Sequence, residues 1–274
     1  MTIADWLIES MVRLRDTGVD SPRRDTLVLL EDTLKKDRAW VVAHPEQELS
    51  EERLETLGKL IDRRLKREPL AYIRGKSWFY GRFFEVNPSV MIPRPESEAF
   101  ITLLKDLQAT EVIDIGTGSG CLAITAKLEI PNAKVTAVDV SPEALDVAKK
   151  NAKSHGVDVI FLESDLLTAL VSTIHPQTTI IANLPYLPDG MITSPEIATE
   201  PALALFSGKD GLNHYRKFWN QINALEQKPM DVLIESLESQ HGAVKALANK
   251  AGYKMQKTEQ LTQFFVLQNS TSNT

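Results

Sequence analysis

The sequence predicts an α/β protein, a doubly wound and mostly parallel sheet preceded by a small all-helical domain. Three observations carry this. Strand-like and helix-like segments alternate from about residue 111 onward, the first 70 residues show only helical periodicity, and Gly116, Gly118 and Gly120 crowd the turn after the first strand of the alternating part. At 274 residues the chain has room for one large domain or two modest ones. We place a helical domain at 1–70, a linker and β-hairpin at 71–92, and the sheet domain at 93–274.

Taken in order, Ile3, Leu7, Met11 and Leu14 recur at helical spacing and stop before Gly18, a natural residue beyond a helix C-terminus. Ser21-Pro22 opens a second helix containing Leu27, Leu30 and Leu34, and a short third covers Ala39 to Val42. Ser50 caps a fourth, in which Leu54, Leu57, Ile61 and Leu65 form one stripe while Arg63, Arg64, Lys66 and Arg67 mostly face water. Pro69 to Gly75 reads as a linker, and Trp78 to Val86, turning at Gly81, as a hairpin. Strands are expected at Glu111–Ile115, Lys134–Val140, Val159–Leu162, Thr179–Ala182, Asp231–Glu235 and Phe264–Leu267.

Composition removes several function classes. A single cysteine, Cys121, excludes an intramolecular disulfide framework, and the five scattered histidines have no metal-ligand spacing, so no metal is expected. The formal charge of −6 opposes a protein that holds nucleic acid mainly through phosphates. Through residue 75 there are 14 Lys and Arg against 15 Asp and Glu, so the helical part is no basic arm. No apolar run long enough to span a membrane and no leader-like start is seen, and the expectation is a cytoplasmic protein.

Ligands of doubly wound sheets bind beyond the carboxyl ends of the strands, so the residues just past each strand are the ones to inspect. After the first come Asp114-Ile115-Gly116-Thr117-Gly118-Ser119-Gly120, a turn that lets backbone approach a ligand and that opens a helix near Cys121. A dinucleotide fingerprint would need its third glycine at position 121, which is cysteine. Asp139, ending the second strand, can accept from two ribose hydroxyls or can merely favour the next helix, which starts at Ser141-Pro142. Asp165 and Leu166 could take an adenine amine and ring face, or be an ordinary loop pair.

Asn183-Leu184-Pro185-Tyr186, after the fourth strand, is the most specific stretch. A planar NH2 group attacks poorly until acceptors hold both hydrogens and aim the nitrogen at a methyl donor. The Asn183 side-chain carbonyl and the Leu184 main-chain carbonyl can be those acceptors, Pro185 holds Leu184 extended, and Tyr186 can stack on the flat group.

These motifs, in this order, resemble those of class I S-adenosylmethionine-dependent methyltransferases that act on amino groups, which have a Rossmann-like fold. Ile92-Pro93-Arg94-Pro95-Glu96-Ser97-Glu98, the block from Glu200-Pro201 through Leu205-Phe206-Ser207-Gly208-Lys209-Asp210-Gly211-Leu212 with Tyr215, and Leu70-Ala71-Tyr72-Ile73-Arg74-Gly75 are similar to segments of the release factor glutamine methyltransferases, the HemK/PrmC family. The resemblance covers about residues 68–256, and the helical region stands where that family has its substrate-recognition domain. It implies methyl transfer from S-adenosyl-L-methionine to the side-chain amide nitrogen of the glutamine in the Gly-Gly-Gln loop of peptide chain release factors. It also suggests a monomer, while the charge opposes a nucleic-acid partner and the lack of a long apolar run opposes a membrane one. The cofactor set is then Asp114, Gly116, Thr117, Gly118, Ser119, Gly120, Asp139, Asp165, Leu166 and Asn183, and the catalytic set Asn183, Leu184, Pro185 and Tyr186.

Two positions depart from the family pattern. Leu184 stands where the family usually has proline, making the segment similar to that of ribosomal RNA adenine dimethyltransferases. Gln256 to Gln263 lacks the usual Gly and Arg ahead of the last strand, where a local change at the sheet edge is expected. The alternatives are therefore an amino-methyltransferase of nucleic-acid bases and a non-catalytic relative.

Overall fold

The computed structural model describes residues 1–192 and 194–268. The chain forms two compact units, Met1–Lys76 with Thr193–Thr199, and Ser77–Ile192 with Glu200–Thr274.

The first unit holds helices α1 (Ile3–Asp16), α2 (Pro22–Leu34), α3 (Arg38–Ala43), α4 (Glu51–Leu65) and α5 (Leu70–Arg74). Their apolar stripes meet in one core that includes Ile3, Trp6, Leu14, Leu30, Leu57 and Ile61. The expected start of α4 is present, with the Ser50 hydroxyl accepting from the Arg53 amide at 3.4 Å, whereas Ser21 makes no side-chain cap for α2. Gly18 follows α1 with φ +75°, donating its N–H to the Arg15 carbonyl.

Two expectations here need correction. Residues 69–75 are not a plain linker, because Leu70–Arg74 winds into a helical turn. Nor do all the α4 cations face water. Arg64 is 6% exposed, donating from Nε to Asp25 at 2.8 Å and from Nη2 to Glu196 at 2.9 Å. Arg67 grips the other oxygen of Glu196 at 2.9 Å. Residues 194–199 thus join the helical unit through a carboxylate held by two guanidiniums, while Asp25, 1% exposed, neutralises Arg64 from behind.

In the second unit, β1 (Lys76–Phe79) and β2 (Arg82–Glu85) form the expected hairpin around Gly81. The sheet comes next, with α6 (Glu98–Leu107), β3 (Glu111–Ile115), α7 (Cys121–Glu129), β4 (Lys134–Asp139), α8 (Pro142–His155), β5 (Ile160–Glu163) and β6 (Thr178–Ala182). It is completed by α9 (Ala202–Leu205), α10 (Asn213–Ala224), β7 (Asp231–Glu235), α11 (His241–Lys250), β8 (Tyr253–Glu259) and β9 (Thr262–Leu267). Strand order is β5-β4-β3-β6-β7-β9-β8. The first five strands run parallel, and β9 pairs antiparallel with both β7 and β8. Separate apolar cores cover the two faces of the sheet, one around Ile113, Trp219 and Phe265, the other around Phe100, Ile124 and Leu233.

β8 is absent from the sequence reading, and the last strand does not lie at the edge. β9 is enclosed between β7 and β8, and β8 is the edge strand. The departure at 256–263 falls on this hairpin, where the register shifts between Met255 and Lys257 and Gln260 takes φ +51°, a region that favours glycine. Because β3 lies between β4 and β6, the chain reverses its direction of travel across the sheet there. Crevices at the carboxyl ends open at such a reversal.

Candidate active site

The β3–α7 turn is left-handed at Gly116, Gly118 and Gly120, with φ of +75°, +54° and +79°. Side chains are disfavoured in that region. Space is a second constraint at Gly120, where an added Cβ would stand 3.0 Å from both Ala148 Cβ and Ile124 Cδ1. The turn is braced from below by Asp114, whose Oδ2 accepts from the Thr117 hydroxyl at 2.6 Å. Asp139, at the end of the neighbouring β4, accepts from the Gly118 amide and the Ser141 amide, each at 2.9 Å. Burial pushes the Asp114 carboxyl up to about 7; the Asp139 charge adds to this and the Thr117 hydroxyl opposes it. Burial also raises Asp139, against the pull of its amide donors on Ser141 and Gly118.

Above this turn lies a cavity of about 380 Å³. Of the expected cofactor residues, Gly116, Thr117, Gly118, Ser119, Asp139, Asp165, Leu166 and Asn183 line it. Asp114 and Gly120 stand behind the wall and shape the turn instead. Leu184 and Pro185 also line the cavity, but Tyr186 does not. Asp165 is ion-paired with Lys217 of α10, a partner the sequence reading did not supply.

Asn183 follows β6 directly. Its Nδ2 donates to the Ser97 hydroxyl at 2.9 Å, whereas its Oδ1 is buried without a hydrogen-bond partner in the protein. A buried carbonyl oxygen without a donor costs stability, and Asn183 lines the cavity, so Oδ1 is the acceptor that an incoming N–H could satisfy. The Leu184 carbonyl accepts from the Tyr215 hydroxyl at 3.2 Å, and that hydroxyl also reaches the Glu235 carbonyl, so one lone pair of Leu184 stays open. The Leu184 side chain is 3% exposed and reaches toward Gly116, where an added Cβ would meet its Cδ2 at 3.5 Å. Tyr186 directs its hydroxyl to Glu235 Oε1 at 3.2 Å.

The sequence names Ser97 and Tyr215 only as parts of family-like segments, with no role at the site, and does not single out Glu235. The signal for Glu235 was present: it closes a strand that the sequence does predict, and Ala182 pairs with Ile234, so the next residues, Asn183 and Glu235, lie side by side. Burial raises the Glu235 carboxyl, while donors on Ser97, Tyr186 and Asn183 work against that rise.

The family described as PrmC N-terminal domain matches residues 5–75, and the methyltransferase small domain matches residues 95–257. A release factor glutamine methyltransferase of Koribacter versatilis is 37% identical over 231 residues, 81% of each chain. One of Bacillus subtilis is 37% identical over 236 residues, 82% of each chain. The chain belongs to the release factor glutamine methyltransferase family. Among solved structures, the hMettl16 catalytic domain in complex with MAT2A 3'UTR hairpin 1 is similar at a TM-score of 0.54 and 13% identity, over 79% of this chain and 80% of that one. This likeness concerns the fold alone.

Within this family member the two blocks flanking the site have visible work. Glu200 accepts from the Ile92 amide at 2.9 Å and from Arg94 at 2.5 Å, joining the 92–98 segment to the 200–212 block. Leu187 and Ser207 amides bond to the Leu205 and Leu187 carbonyls, each at 2.9 Å. At Gly211 an added Cβ would fall 2.1 Å from the Tyr186 carbonyl, which Gln240 Nε2 also grips at 2.8 Å. The 200–212 block therefore fixes the loop that carries Asn183.

Proposed function

We infer that this methyltransferase transfers the methyl group of S-adenosyl-L-methionine to the side-chain amide nitrogen of the glutamine in the Gly-Gly-Gln loop of peptide chain release factors. The observation that carries the reading is Asn183, which lines the cavity together with the glycine turn and whose buried Oδ1 has no hydrogen-bond partner in the protein. Family membership supplies the substrate class, since the relatives named above act on release factors. We assign residues 1–70 as the part that recognises the factor, in keeping with the match to the PrmC N-terminal domain, and residues 93–274 as the methyltransferase domain. The protein acts as a monomer in the cytoplasm; among the described residues no helix is long and apolar enough to cross a membrane.

The donor set fits S-adenosylmethionine. Asp139 would hold the ribose hydroxyls with lone pairs left free by the Gly118 and Ser141 amides, and Asp165 with Leu166 would hold the adenine. Bound there, the cofactor supplies an electrophilic sulfonium methyl. Asn183 Oδ1 and the Leu184 carbonyl each accept one hydrogen of the glutamine NH2, which fixes the plane of the amide and turns the nitrogen toward the donor. No strong base is required, because a methylated amide nitrogen sheds its extra proton readily to water.

The test is transfer from labelled S-adenosylmethionine to purified release factor, beside a Gln-to-Ala version of its Gly-Gly-Gln loop and beside ribosomal RNA. Label on the wild-type factor alone is the expected result. Label on the RNA would transfer the assignment to base methylation, the chemistry that Leu184 resembles, and label on neither would leave a cofactor-binding relative.

A further inference from the structure

A side-chain carboxamide is nearly symmetric in shape and opposite in function at its two ends. Rotated by half a turn, Asn183 would present Nδ2 to the cavity, and a donor there repels the NH2 of a substrate amide. Ser97, the partner of Nδ2, cannot prevent this alone, because a hydroxyl donates as readily as it accepts. Glu235 removes the ambiguity. A carboxylate without a proton only accepts, and Glu235 lies beside Asn183 through the β6–β7 register, with the Tyr186 phenol donating to Oε1 and Oε2 buried without a hydrogen-bond partner. An acceptor-only neighbour favours the N–H end of the carboxamide, the end that donates to Ser97 Oγ.

We propose that Glu235, together with Ser97, is a positioning residue that locks the Asn183 carboxamide with Oδ1 facing the methyl acceptor. The proposal rests on the amide-methylation reading given above. Glu235 does not line the cavity and touches no reacting atom; its effect passes entirely through Asn183. Replacing it by glutamine keeps the shape but puts an NH2 donor beside Asn183. The carboxamide can then reverse, with Ser97 donating to Asn183 Oδ1 and Nδ2 swinging into the site.

The test is a kinetic cycle on the full chain with release factor as substrate, using Glu235→Gln, Asn183→Ala and the double variant, with S-adenosylmethionine affinity measured by calorimetry. We expect Glu235→Gln to lower kcat about 10-fold or more, to leave cofactor affinity unchanged, and to cause no further loss in the Asn183→Ala background. Ser97→Ala should reproduce the loss, and Ser97→Thr, which keeps the hydroxyl, should restore most of it. Equal losses from Glu235→Gln with and without Asn183 would overturn the proposal by revealing a general structural role, as would wild-type turnover in Glu235→Gln. A second readout needs no substrate and so stands apart from the functional reading. In labelled protein the Asn183 side-chain NH2, identified by its disappearance in Asn183→Ala, should exchange slowly with solvent and at least about 10-fold faster in Glu235→Gln. Unchanged protection in that variant would refute the lock even if the factor proved not to be the substrate.

Discussion

Asp114 is fully buried beneath the glycine turn, and burial holds its carboxyl at about 7 against an ordinary 3.8. An acid whose folded value is raised binds more protons folded than unfolded, so the folded state loses stability as pH climbs between those two values and stays at the lower level above them. A rise of about 3 units, at roughly 1.36 kcal/mol each, sets an upper bound of about 4 kcal/mol on that loss. Asp114→Asn removes the titration and keeps the shape. Its amide group can still pair with Thr117, whose hydroxyl is free to accept. The variant should therefore gain stability on wild type by about 2–3 kcal/mol between about pH 5 and about pH 8, which for a chain of this size is roughly 5–10 °C in Tm. Thermal melts of both proteins across that range, without cofactor, measure it directly. A stability difference that stays constant with pH would refute the reasoning, because it would mean Asp114 does not titrate in this window.

Two site variants separate chemistry from binding. Asn183→Ala should lower kcat on the order of 10²-fold, a larger effect than any on cofactor affinity, and Asp139→Ala should do the reverse, weakening S-adenosylmethionine binding in calorimetry before it slows turnover. In the helical unit, burial alone would raise Glu196, but the hydrogen bonds of Arg67 and Arg64, with its own amide, outweigh it and bring the carboxyl down to about 2 from 4.5. An acid with a lowered folded value contributes stability that is complete above 4.5 and disappears as pH falls toward 2. Glu196→Gln should accordingly cost about 2 kcal/mol in urea unfolding at neutral pH, with the penalty shrinking steadily below pH 4.5; a pH-independent cost would exclude the ion pairs as its source.

How legible each feature is in the sequence depends on how local its signal is. The glycine turn, Asp139, Asp165 and Asn183 were found by one rule, that ligands gather beyond the carboxyl ends of parallel strands, and each follows or closes a strand with a strong apolar signature. Glu235 obeys the same geometry, closing β7 as Asp139 closes β4, so the rule reaches it as well once it is applied to that strand. Ser97, just ahead of α6, and Tyr215, on α10, reach the site by tertiary packing, which no spacing along the chain encodes. Arg64 failed for a similar reason: it borders the apolar stripe of α4, and its partners lie 39 and 132 residues away. β8 was missed because its sequence, Tyr253-Lys-Met-Gln-Lys-Thr-Glu259, is mostly polar and exposed, as suits an edge strand that pairs on one side only.

The leucine in Asn183-Leu184-Pro185-Tyr186 can be placed on the same footing. The group this position offers to a substrate amide is a main-chain carbonyl, present whatever the side chain. Pro185 still restrains the residue before it to an extended conformation, and the Tyr215 hydroxyl fixes the carbonyl from the protein side. Losing the fixed φ of a proline at 184 therefore removes rigidity that neighbours already supply. What leucine adds is packing, for its side chain is buried against the turn at Gly116. Leu184→Pro should leave kcat within about 3-fold of wild type, since the positioned acceptors remain. Lost packing at roughly 1–3 kcal/mol, partly offset by a stiffer unfolded chain at about 0.4–1 kcal/mol, should lower stability by about 1–2 kcal/mol. A change in kcat of about 10-fold or more in either direction, with stability little altered, would show that the side chain at 184 tunes the reaction itself and that the carbonyl is not held as firmly as its contacts indicate.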